Sequence, residues 1–177
     1  MLGKSKTRLC ATDSQPALPA MNLDILILRD PRESKKKCSL TPLVGTPGVR
    51  FLTFDPDRRV EAGGRIRLDP EGDEFTAQDR GAALFLIDCA WRRVPRLAAN
   101  VDGELKRRRL PELVTAYPRV SRIFEDPLAG LASVEALFAA SVLVGAPRLE
   151  LLDSYRWSCE FLERNAGFFE QHGVSAR

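Results

Sequence analysis

Histidine is nearly absent from this sequence of 177 residues, in which His172 stands alone. The four cysteines (Cys10, Cys38, Cys89 and Cys159) lie too far apart for a CxxC motif. These two scarcities argue against a zinc site and leave no candidate for a serine–histidine–aspartate triad. We therefore expect no metal cofactor. Isolated cysteines of this kind are typical of reduced thiols, which predicts a cytoplasmic location.

Long apolar runs are also missing, since none reaches the roughly 18 residues that a transmembrane helix requires. The basic residues near the N-terminus are not followed by the apolar segment of a secretory signal. We therefore expect no contact with a membrane. Neither a GxGxxG motif nor a Walker loop occurs, so nothing indicates binding of NAD or ATP.

The composition is that of an ordinary globular protein, with 44% hydrophobic and 29% charged residues and a net charge of +3. The length suffices for one domain with a sizeable core. Residues 1–21 are small, polar and rich in proline, and we predict a disordered lead-in there. Residues 22–177 are predicted to form a single monomeric domain, with an N-terminal α/β part (22–81) and a second part (82–177).

Short apolar runs separated by turn signals predict an α/β layered domain with a mostly parallel sheet. Gly63 and Gly64 suggest a hairpin over residues 58–68, and "LDPEG" (68–72) is typical of a turn. An almost wholly apolar segment that ends at Gly145 predicts a buried helix. The expected strands are residues 23–28, 49–54, 83–87 and 110–116, and the expected helices are residues 133–144 and, in two pieces, 147–170.

The stretch "LFLIDCAWRRVP" (84–95) places polar and aromatic residues directly after the most strand-like run of the chain. Ligands of parallel sheets bind beyond the carboxyl ends of the strands, and Asp88 and Trp91 fall there. Asp88 either caps the helix that begins near Trp91 or acts as a general base. Trp91 either belongs to the core or forms a wall for a purine ring.

Positive charge is concentrated between Arg92 and Arg109. Arg92 and Arg96 are four residues apart on the expected helix and should project from one face. Lys106 to Arg109 are consecutive cations, expected in a loop, and repulsion among them gives folding no reason to gather them. The cluster is either a solvated basic face or a surface that contacts RNA phosphates. We predict phosphate contacts for six residues: Arg92, Arg96, Lys106, Arg107, Arg108 and Arg109.

Five motifs, in order, resemble those of the small-subunit ribosomal RNA aminocarboxypropyltransferases. The DTW-domain tRNA-uridine aminocarboxypropyltransferases belong to the same superfamily and share the Asp-x-x-Trp element. The resemblance runs from about residue 24 to residue 170. Its motifs are "DPRESKKKCSLTPL" (30–43), "LDPEGDEFTAQDR…ALFLIDCAWRR" (68–93), "RRLPELVTAYP" (108–118), "LASVEAL" (131–137) and "LLDSYRWSCEFLERN" (151–165).

The resemblance implies a SPOUT-like fold with a C-terminal trefoil knot and S-adenosylmethionine as cofactor. It implies transfer of the 3-amino-3-carboxypropyl group to a uridine or pseudouridine of RNA, with ribosomal RNA favoured and tRNA as the other candidate. Asp88 is then the one placed candidate for the general base. Two alternatives stay open, namely an RNA methyltransferase with the same pocket and a non-catalytic RNA-binding relative.

The resemblance also assigns cofactor contacts. Leu68, Pro70 and Trp91 match apolar positions around the adenine, and Ser39 matches a residue near the amino-acid end of the cofactor. The backbones of Ile87 and Leu110 match contacts to the ribose and to the adenine edge. The loop that closes over the cofactor is matched by residues 129–133, of which Ala129, Leu131, Ala132 and Ser133 are expected contacts.

Two departures from the family pattern concern this loop. The family's "NPVNYG" is replaced by "YPRVSR" (117–122), and about four residues are added before Leu131. Ala132 also stands where the family has a Ser or Thr that caps the next helix together with the glutamate at position 135. We expect Ser133 to supply the cap instead.

Overall fold

The computed structural model describes residues 23–34, 38–118 and 130–174, so the predicted lead-in (1–21) lies outside the described residues. Two parallel sheets occur within these ranges. The central sheet has five strands in the order β2-β1-β5-β4-β7, and the small sheet pairs β3 with β6. The strands are β1 (Ile25–Arg29), β2 (Val49–Thr53), β3 (Val60–Glu61), β4 (Ile66–Glu74), β5 (Leu84–Asp88), β6 (Val101–Asp102) and β7 (Lys106–Arg109).

The helices are short apart from one. Gly145, with φ of +77°, follows the buried helix α2 and ends it as predicted. Within the described ranges, no helix has the length and apolarity needed to cross a membrane. The α-helices are α1 (Val94–Ala98), α2 (Ser133–Leu143), α3 (Ser158–Arg164) and α4 (Ala166–Gln171), and the 3-10 turns are Thr41–Leu43, Ala77–Asp79, Trp91–Arg93 and Leu149–Leu152.

Both faces of the central sheet are covered, which confirms the predicted α/β layers. Side chains alternate along a strand, so Leu84 and Leu86 of β5 join the large cluster around α2. Phe85 faces the opposite side and joins the smaller cluster around Leu97 of α1. Burial on both faces explains why the central strands are continuous apolar runs. The sheet draws strands from both sides of the predicted boundary at residues 81 and 82.

The hairpin predicted around Gly63 and Gly64 is wrong. The two extended pieces belong to different sheets, since β3 pairs with β6 while β4 lies between β5 and β7. Val60 of β3 packs in the cluster around α1, whereas Ile66 of β4 packs in the cluster around α2. The glycines therefore let the chain cross from one layer to the other, and Gly64 does so with φ of +74°.

The turn predicted at residues 68–72 is present, but inside a strand. The Oδ1 atom of Asp69 accepts the N–H of Glu71 at 3.0 Å, as in an Asx turn. The register of β4 against β7 shifts between Leu68 and Asp73, so the turn forms a bulge. A Cβ on Gly72 would lie 2.6 Å from the backbone carbon of Arg107. Glycine is therefore needed for the close approach of β7 to this bulge.

The strand predicted at residues 110–116 is wrong, because this extended segment pairs with side chains and not with a strand. Asn165 imitates a neighbouring strand, since its Oδ1 accepts the N–H of Val114 at 2.8 Å and its Nδ2 donates to the Val114 carbonyl at 2.9 Å. Glu135 accepts the N–H of Ala116 at 2.9 Å. The segment is thus fixed by helical residues far away in sequence.

Candidate functional site

An apolar cleft of about 270 Å³ opens beside the bulge of β4, near the carboxyl ends of β5 and β7. Trp91 lines it with 42% of its surface exposed, so the interpretation of Trp91 as a core residue is wrong. Asp69, Arg108, Arg109 and Glu112 add charge to a lining that is otherwise apolar or small. The full lining is Leu68, Asp69, Pro70, Leu86, Trp91, Arg108, Arg109, Leu110, Pro111, Glu112, Gly130, Leu131 and Ala136.

Half of the ten predicted cofactor residues meet in this one cleft, although they come from four separate stretches of the chain. These are Leu68, Pro70, Trp91, Leu110 and Leu131. Four others (Ser39, Ile87, Ala132 and Ser133) do not line it, although Ala132 and Ser133 directly follow Leu131 at the start of α2. Ala129 lies outside the described residues.

One wall of the cleft, residues 110–112, continues into the segment that Glu135 holds. Glu135 is fully buried, and its carboxylate accepts four hydrogen bonds. The donors are the Thr115 hydroxyl (2.6 Å), the Ala116 amide (2.9 Å), the Ala132 amide (2.8 Å) and the Tyr155 hydroxyl (2.8 Å). One carboxylate thus fixes this wall to the first turn of α2.

The first turn of α2 is capped from a distant part of the chain. Ala132 occupies the N-cap position, and Glu135 accepts its N–H, which is half of a capping box. The N–H of Val134 is accepted by the Ser39 hydroxyl at 3.4 Å. The expectation that Ser133 supplies the cap is therefore wrong, and Ser39 does so because the segment after β1 lies beside α2.

Asp88 is buried at the carboxyl end of β5 and does not line the cleft. Its Oδ2 atom accepts the Nε–H of Arg29 at 2.8 Å and the thiol of Cys38 at 3.3 Å. Arg29 also donates through Nη2 to the sulfur of Cys38 at 3.2 Å. The helix-cap interpretation of Asp88 is wrong, because Ala90 occupies the N-cap position without a side-chain hydrogen bond.

The two cysteines at this end of the sheet are thiols at neutral pH. Burial raises the pKa of Cys89 to about 12, with help from the nearby carboxylates of Asp30 and Glu33. Burial and the neighbouring Asp88 also raise the pKa of Cys38. Nucleophilic attack requires a thiolate, so these side chains act in packing and hydrogen bonding.

The loop predicted for Lys106 to Arg109 is wrong, since these residues form the edge strand β7. Folding does gather the cations, because acids of β4 and of the 3-10 turn after it face them. Arg108 is the most enclosed, with Nε 2.8 Å from Oδ2 of the buried Asp79. Burial tends to raise the pKa of Asp79, but hydrogen bonds from Arg108 and Thr76 outweigh it and lower that pKa.

The other arginines of β7 are ion-paired but about half exposed. Arg107 lies 2.9 Å from Asp69, and Arg109 lies 2.7 Å from Glu74. In the helical stretch after β5, Arg96 is exposed, with its guanidinium carbon 5.9 Å from the centre of the Phe54 ring. Arg92 is exposed and directly follows Trp91 at the cleft.

Three residues of the candidate sites were not identified from the sequence. Arg29 was not considered, because a charged residue directly after an apolar run is what the end of any buried strand shows. Asp69 was treated only as part of a turn, and Glu112 only as part of a strand.

Among residues 23–34, 38–118 and 130–174, no group of three or more His, Cys, Asp or Glu side chains could hold a metal ion.

Residues 66–176 match the model of a protein family described as "Ribosome biogenesis protein, C-terminal". The chain belongs to this family. The matched region contains β4 to β7 and all four α-helices, and hence the whole lining of the cleft. The family relationship that the five sequence motifs indicated is confirmed.

Two curated relatives support the same relationship. A 16S rRNA aminocarboxypropyltransferase of Methanopyrus kandleri is 32% identical over 109 residues, which are 58% of this chain and 62% of the relative. One of Methanosphaera stadtmanae is 30% identical over 114 residues, or 60% of this chain and 64% of the relative. The matched regions thus span less than two thirds of the length of these curated relatives.

A solved structure extends the likeness to most of the chain. It is the SAM-dependent rRNA:acp-transferase Tsr3 from Vulcanisaeta distributa, with a TM-score of 0.65 and 28% sequence identity. The similarity covers 86% of this chain and 84% of the other. This share is larger than the part of the chain that the family model matches, so the likeness extends beyond residues 66–176.

Proposed function

We propose that this protein transfers the 3-amino-3-carboxypropyl group of S-adenosylmethionine to a uridine or pseudouridine of ribosomal RNA. The observation that carries the proposal is the convergence of Leu68, Pro70, Trp91, Leu110 and Leu131 on one cleft. The family resemblance assigns each of these residues to the cofactor. The names of the two curated relatives and of the structural neighbour support the same reaction.

The residues of the cleft fit such a cofactor. An exposed indole at the end of a parallel strand is a suitable wall for an adenine ring. Leu110 lies in a segment whose backbone is not taken up by a sheet, which suits contacts between the backbone and an adenine edge. Leu68 and Pro70 supply apolar surface on the side of β4. The cleft thus combines an apolar floor with a fixed stretch of backbone, as ligand pockets generally do.

The work left to the protein is mainly positioning. When bound, S-adenosylmethionine supplies an electrophilic methylene carbon, whose bond to the sulfonium breaks as a base nitrogen bonds to it, so that the electron pair stays on sulfur and methylthioadenosine leaves. Glu135 and Asn165 hold the cleft wall, and rigid walls favour a productive orientation of the reactants. Asp88, as the predicted general base, would accept the imide proton of the RNA base.

The finer description of the fold, a SPOUT-like domain with a C-terminal trefoil knot, is also proposed. Its support is that the extended segment 110–117 is bound both by Glu135 of α2 and by Asn165, which follows α3. The altered family motif spans residues 117–122, and of this motif and the loop after it residues 119–129 lie outside the described residues. An experimental map traced through these residues would establish or exclude the knot.

The reaction is tested by incubating the protein with RNA and S-adenosylmethionine labelled in either the carboxyl carbon or the methyl group. We expect the carboxyl label to enter ribosomal RNA and the methyl label to leave with methylthioadenosine. Methyl label in the RNA would show the alternative, an RNA methyltransferase. Neither label in any RNA, including tRNA, would favour a non-catalytic RNA-binding protein.

Trp91→Ala should weaken binding of S-adenosylmethionine without unfolding the protein. The indole is exposed in the cleft, so its removal costs little core packing, whereas loss of stacking on a base costs roughly 1–3 kcal/mol. Calorimetric titration measures the affinity. Phe168→Ala serves as a comparison, since Phe168 packs against Phe169 and His172 and does not line the cleft. An unchanged affinity in Trp91→Ala would place the cofactor elsewhere.

The exposed cations beside the cleft are proposed to contact RNA phosphates, which would compete with their carboxylate partners. Replacing Arg107 and Arg109 by alanine should flatten the salt dependence of RNA binding by roughly one log unit per lost contact. Arg108 is left intact, because its removal would take away the ion-pair partner that lies 2.8 Å from the buried carboxylate of Asp79. Arg59→Ala is the control, since Arg59 is exposed and paired with Asp102 but does not line the cleft. The proposal would be contradicted if RNA binding had the same salt dependence in the wild type, in the Arg107/Arg109 variant and in Arg59→Ala.

The cytoplasmic location and the monomeric state are proposed as well. The thiols Cys38, Cys89 and Cys159 are free, as in a reducing compartment. Light scattering of the purified protein tests the monomer, and fractionation of cells tests the location.

A further inference from the structure

A second cavity, of about 370 Å³, lies at the same end of the central sheet as the cleft. Arg29 and Thr53 are the last residues of β1 and β2 and are register partners, so they mark the carboxyl ends of these strands. Ligands of parallel sheets bind at such ends. The cavity is lined by Arg29, Thr41, Val44, Phe51 and Thr53, none of which belongs to the cleft.

The cavity and the cleft lie close together on one face of the sheet. Phe51 of β2 and Leu86 of β5 are both register partners of Ile27 in β1. Neighbouring strands are about 4.8 Å apart, so the Cα atoms of Phe51 and Leu86 are separated by about 10 Å. Both side chains pack in the cluster around α2, and Leu86 lines the cleft. The two spaces are thus placed as neighbouring halves of one site.

A fixed guanidinium forms part of the cavity wall. The central carbon of the Arg29 guanidinium lies 4.6 Å from the centre of the Phe51 ring. Its Nε donates to Asp88 and its Nη2 to Cys38, and only 10% of the side chain is exposed. Because Asp88 already balances the charge of Arg29, the cavity favours a neutral ligand with acceptor oxygens over a free anion.

The remaining lining supplies hydroxyl groups and apolar surface. The Thr41 hydroxyl oxygen is buried, yet it has no hydrogen-bond partner in the described part of the chain. Buried polar groups without a partner are rare, and a missing ligand is one explanation. Thr53 contributes a second hydroxyl. Val44, with 63% of its surface exposed, offers apolar contact at the mouth.

We infer that this cavity binds the acceptor base, a planar ring of the uracil type. This inference rests on the proposed function, which supplies the donor half of the site in the cleft. A uracil-type ring has two carbonyl oxygens that can accept from Arg29 and from the threonine hydroxyls, and flat faces that suit Phe51 and Val44. It would also bring the imide close to Asp88, the partner of Arg29. Asp88 can then serve the acceptor although it does not line the cleft.

The experiment combines Thr41→Val with Thr53→Val, which removes both hydroxyls at nearly constant volume. Thr46→Val is the matched control, because Thr46 lies in the same loop but does not line the cavity. We expect the double variant to raise KM for RNA about tenfold, the equivalent of one lost hydrogen bond. Its affinity for S-adenosylmethionine should stay at the wild-type value, and the control should leave both quantities unchanged.

Free nucleosides provide a measurement that does not depend on turnover. Uridine titrated into ¹⁵N-labelled protein should shift the amide signals of residues 41 and 53. The shifts should be larger than those caused by cytidine, and they should be smaller for the valines at these positions in the double variant. Uridine shifts confined to other residues, or a wild-type KM in the double variant, would overturn the inference and leave the proposed function standing. If the wild-type protein binds uridine in the cavity but transfers no carboxyl label, the proposed function fails and the base site remains.

Discussion

Replacing Glu135 by alanine is expected to lower the free energy of unfolding by about 3–5 kcal/mol, because each buried donor that loses its acceptor costs about 1–3 kcal/mol. The carboxylate is fully buried and accepts from Thr115, Ala116, Ala132 and Tyr155. Alanine would leave these donors without their acceptor. Burial and the hydrogen bond to Glu135 also hold the pKa of Tyr155 above its ordinary value, so its hydroxyl remains a donor.

Urea denaturation of a matched set measures this effect. Tyr155→Phe removes one of the four donors and should cost about 1 kcal/mol. Glu160→Ala removes a glutamate whose ion pair with Arg164 is about half exposed, and it should cost less than about 1 kcal/mol. Affinity for S-adenosylmethionine should fall in Glu135→Ala even where the protein is folded, because the wall at residues 110–112 loses its anchor. Equal losses of stability in the two glutamate variants would refute this account.

The hydrogen bonds of Glu135 are an example of a structural feature that could not be predicted from the sequence. The runs that became β1 and β5 could be assigned because both faces are buried, and a continuous apolar run is then the direct consequence. Residues 110–116 also favour an extended chain, but only Ala116 among them is buried, and they take hydrogen bonds from Glu135 and Asn165. A local sequence pattern can indicate that a segment is extended or buried, but it does not identify the group that forms hydrogen bonds with its backbone. For that reason an extended segment that pairs with side chains was taken for a strand.

The acidic residues of β4 explain a second difference. Four consecutive cations in isolation repel one another, and this favoured a loop for residues 106–109. Asp69, Asp73 and Glu74 lie more than thirty residues earlier, and the parallel pairing of β4 with β7 brings them opposite the arginines. An edge strand rich in charge also discourages pairing with other chains. Charge balance across strands depends on register, which composition and periodicity do not specify.

The site was predicted in part because its residues follow a general rule of parallel sheets. Trp91 lies just beyond the carboxyl end of β5 and lines the cleft, as that rule indicates. Leu68, Pro70, Leu110 and Leu131 came from the family resemblance, since no local property of these apolar residues distinguishes them from core positions. No motif or pattern in the sequence indicated the cavity beside Arg29. It depends on the ends of β1 and β2 and on the loop 41–44 meeting in space.

Replacing Asp88 by asparagine is expected to have two separable effects. The first is a loss of stability of about 3 kcal/mol, because Arg29 would keep its charge in a buried position without a counterion. Chemical denaturation measures this loss. Arg29→Met should cost a similar amount, and the double variant Arg29→Met/Asp88→Asn should cost clearly less than the sum of the two single variants. Additive losses would mean that the pair is not what holds these two strand ends together.

The second effect of Asp88→Asn concerns the reaction. Asparagine can still accept hydrogen bonds from Arg29 and Cys38, but it cannot take the imide proton of the acceptor base. Turnover at saturating RNA and S-adenosylmethionine should therefore fall by about 10²–10⁴-fold, the range for loss of a general base. It is measured at a temperature at which the variant is fully folded, and the affinity for S-adenosylmethionine should be nearly unchanged. The difference in turnover between Asp88→Asn and the wild type should become smaller as the pH rises, because hydroxide then deprotonates the imide without a general base. A purely structural role predicts a deficit that does not vary with pH in this way, and wild-type turnover would leave Asp88 only its ion pair with Arg29.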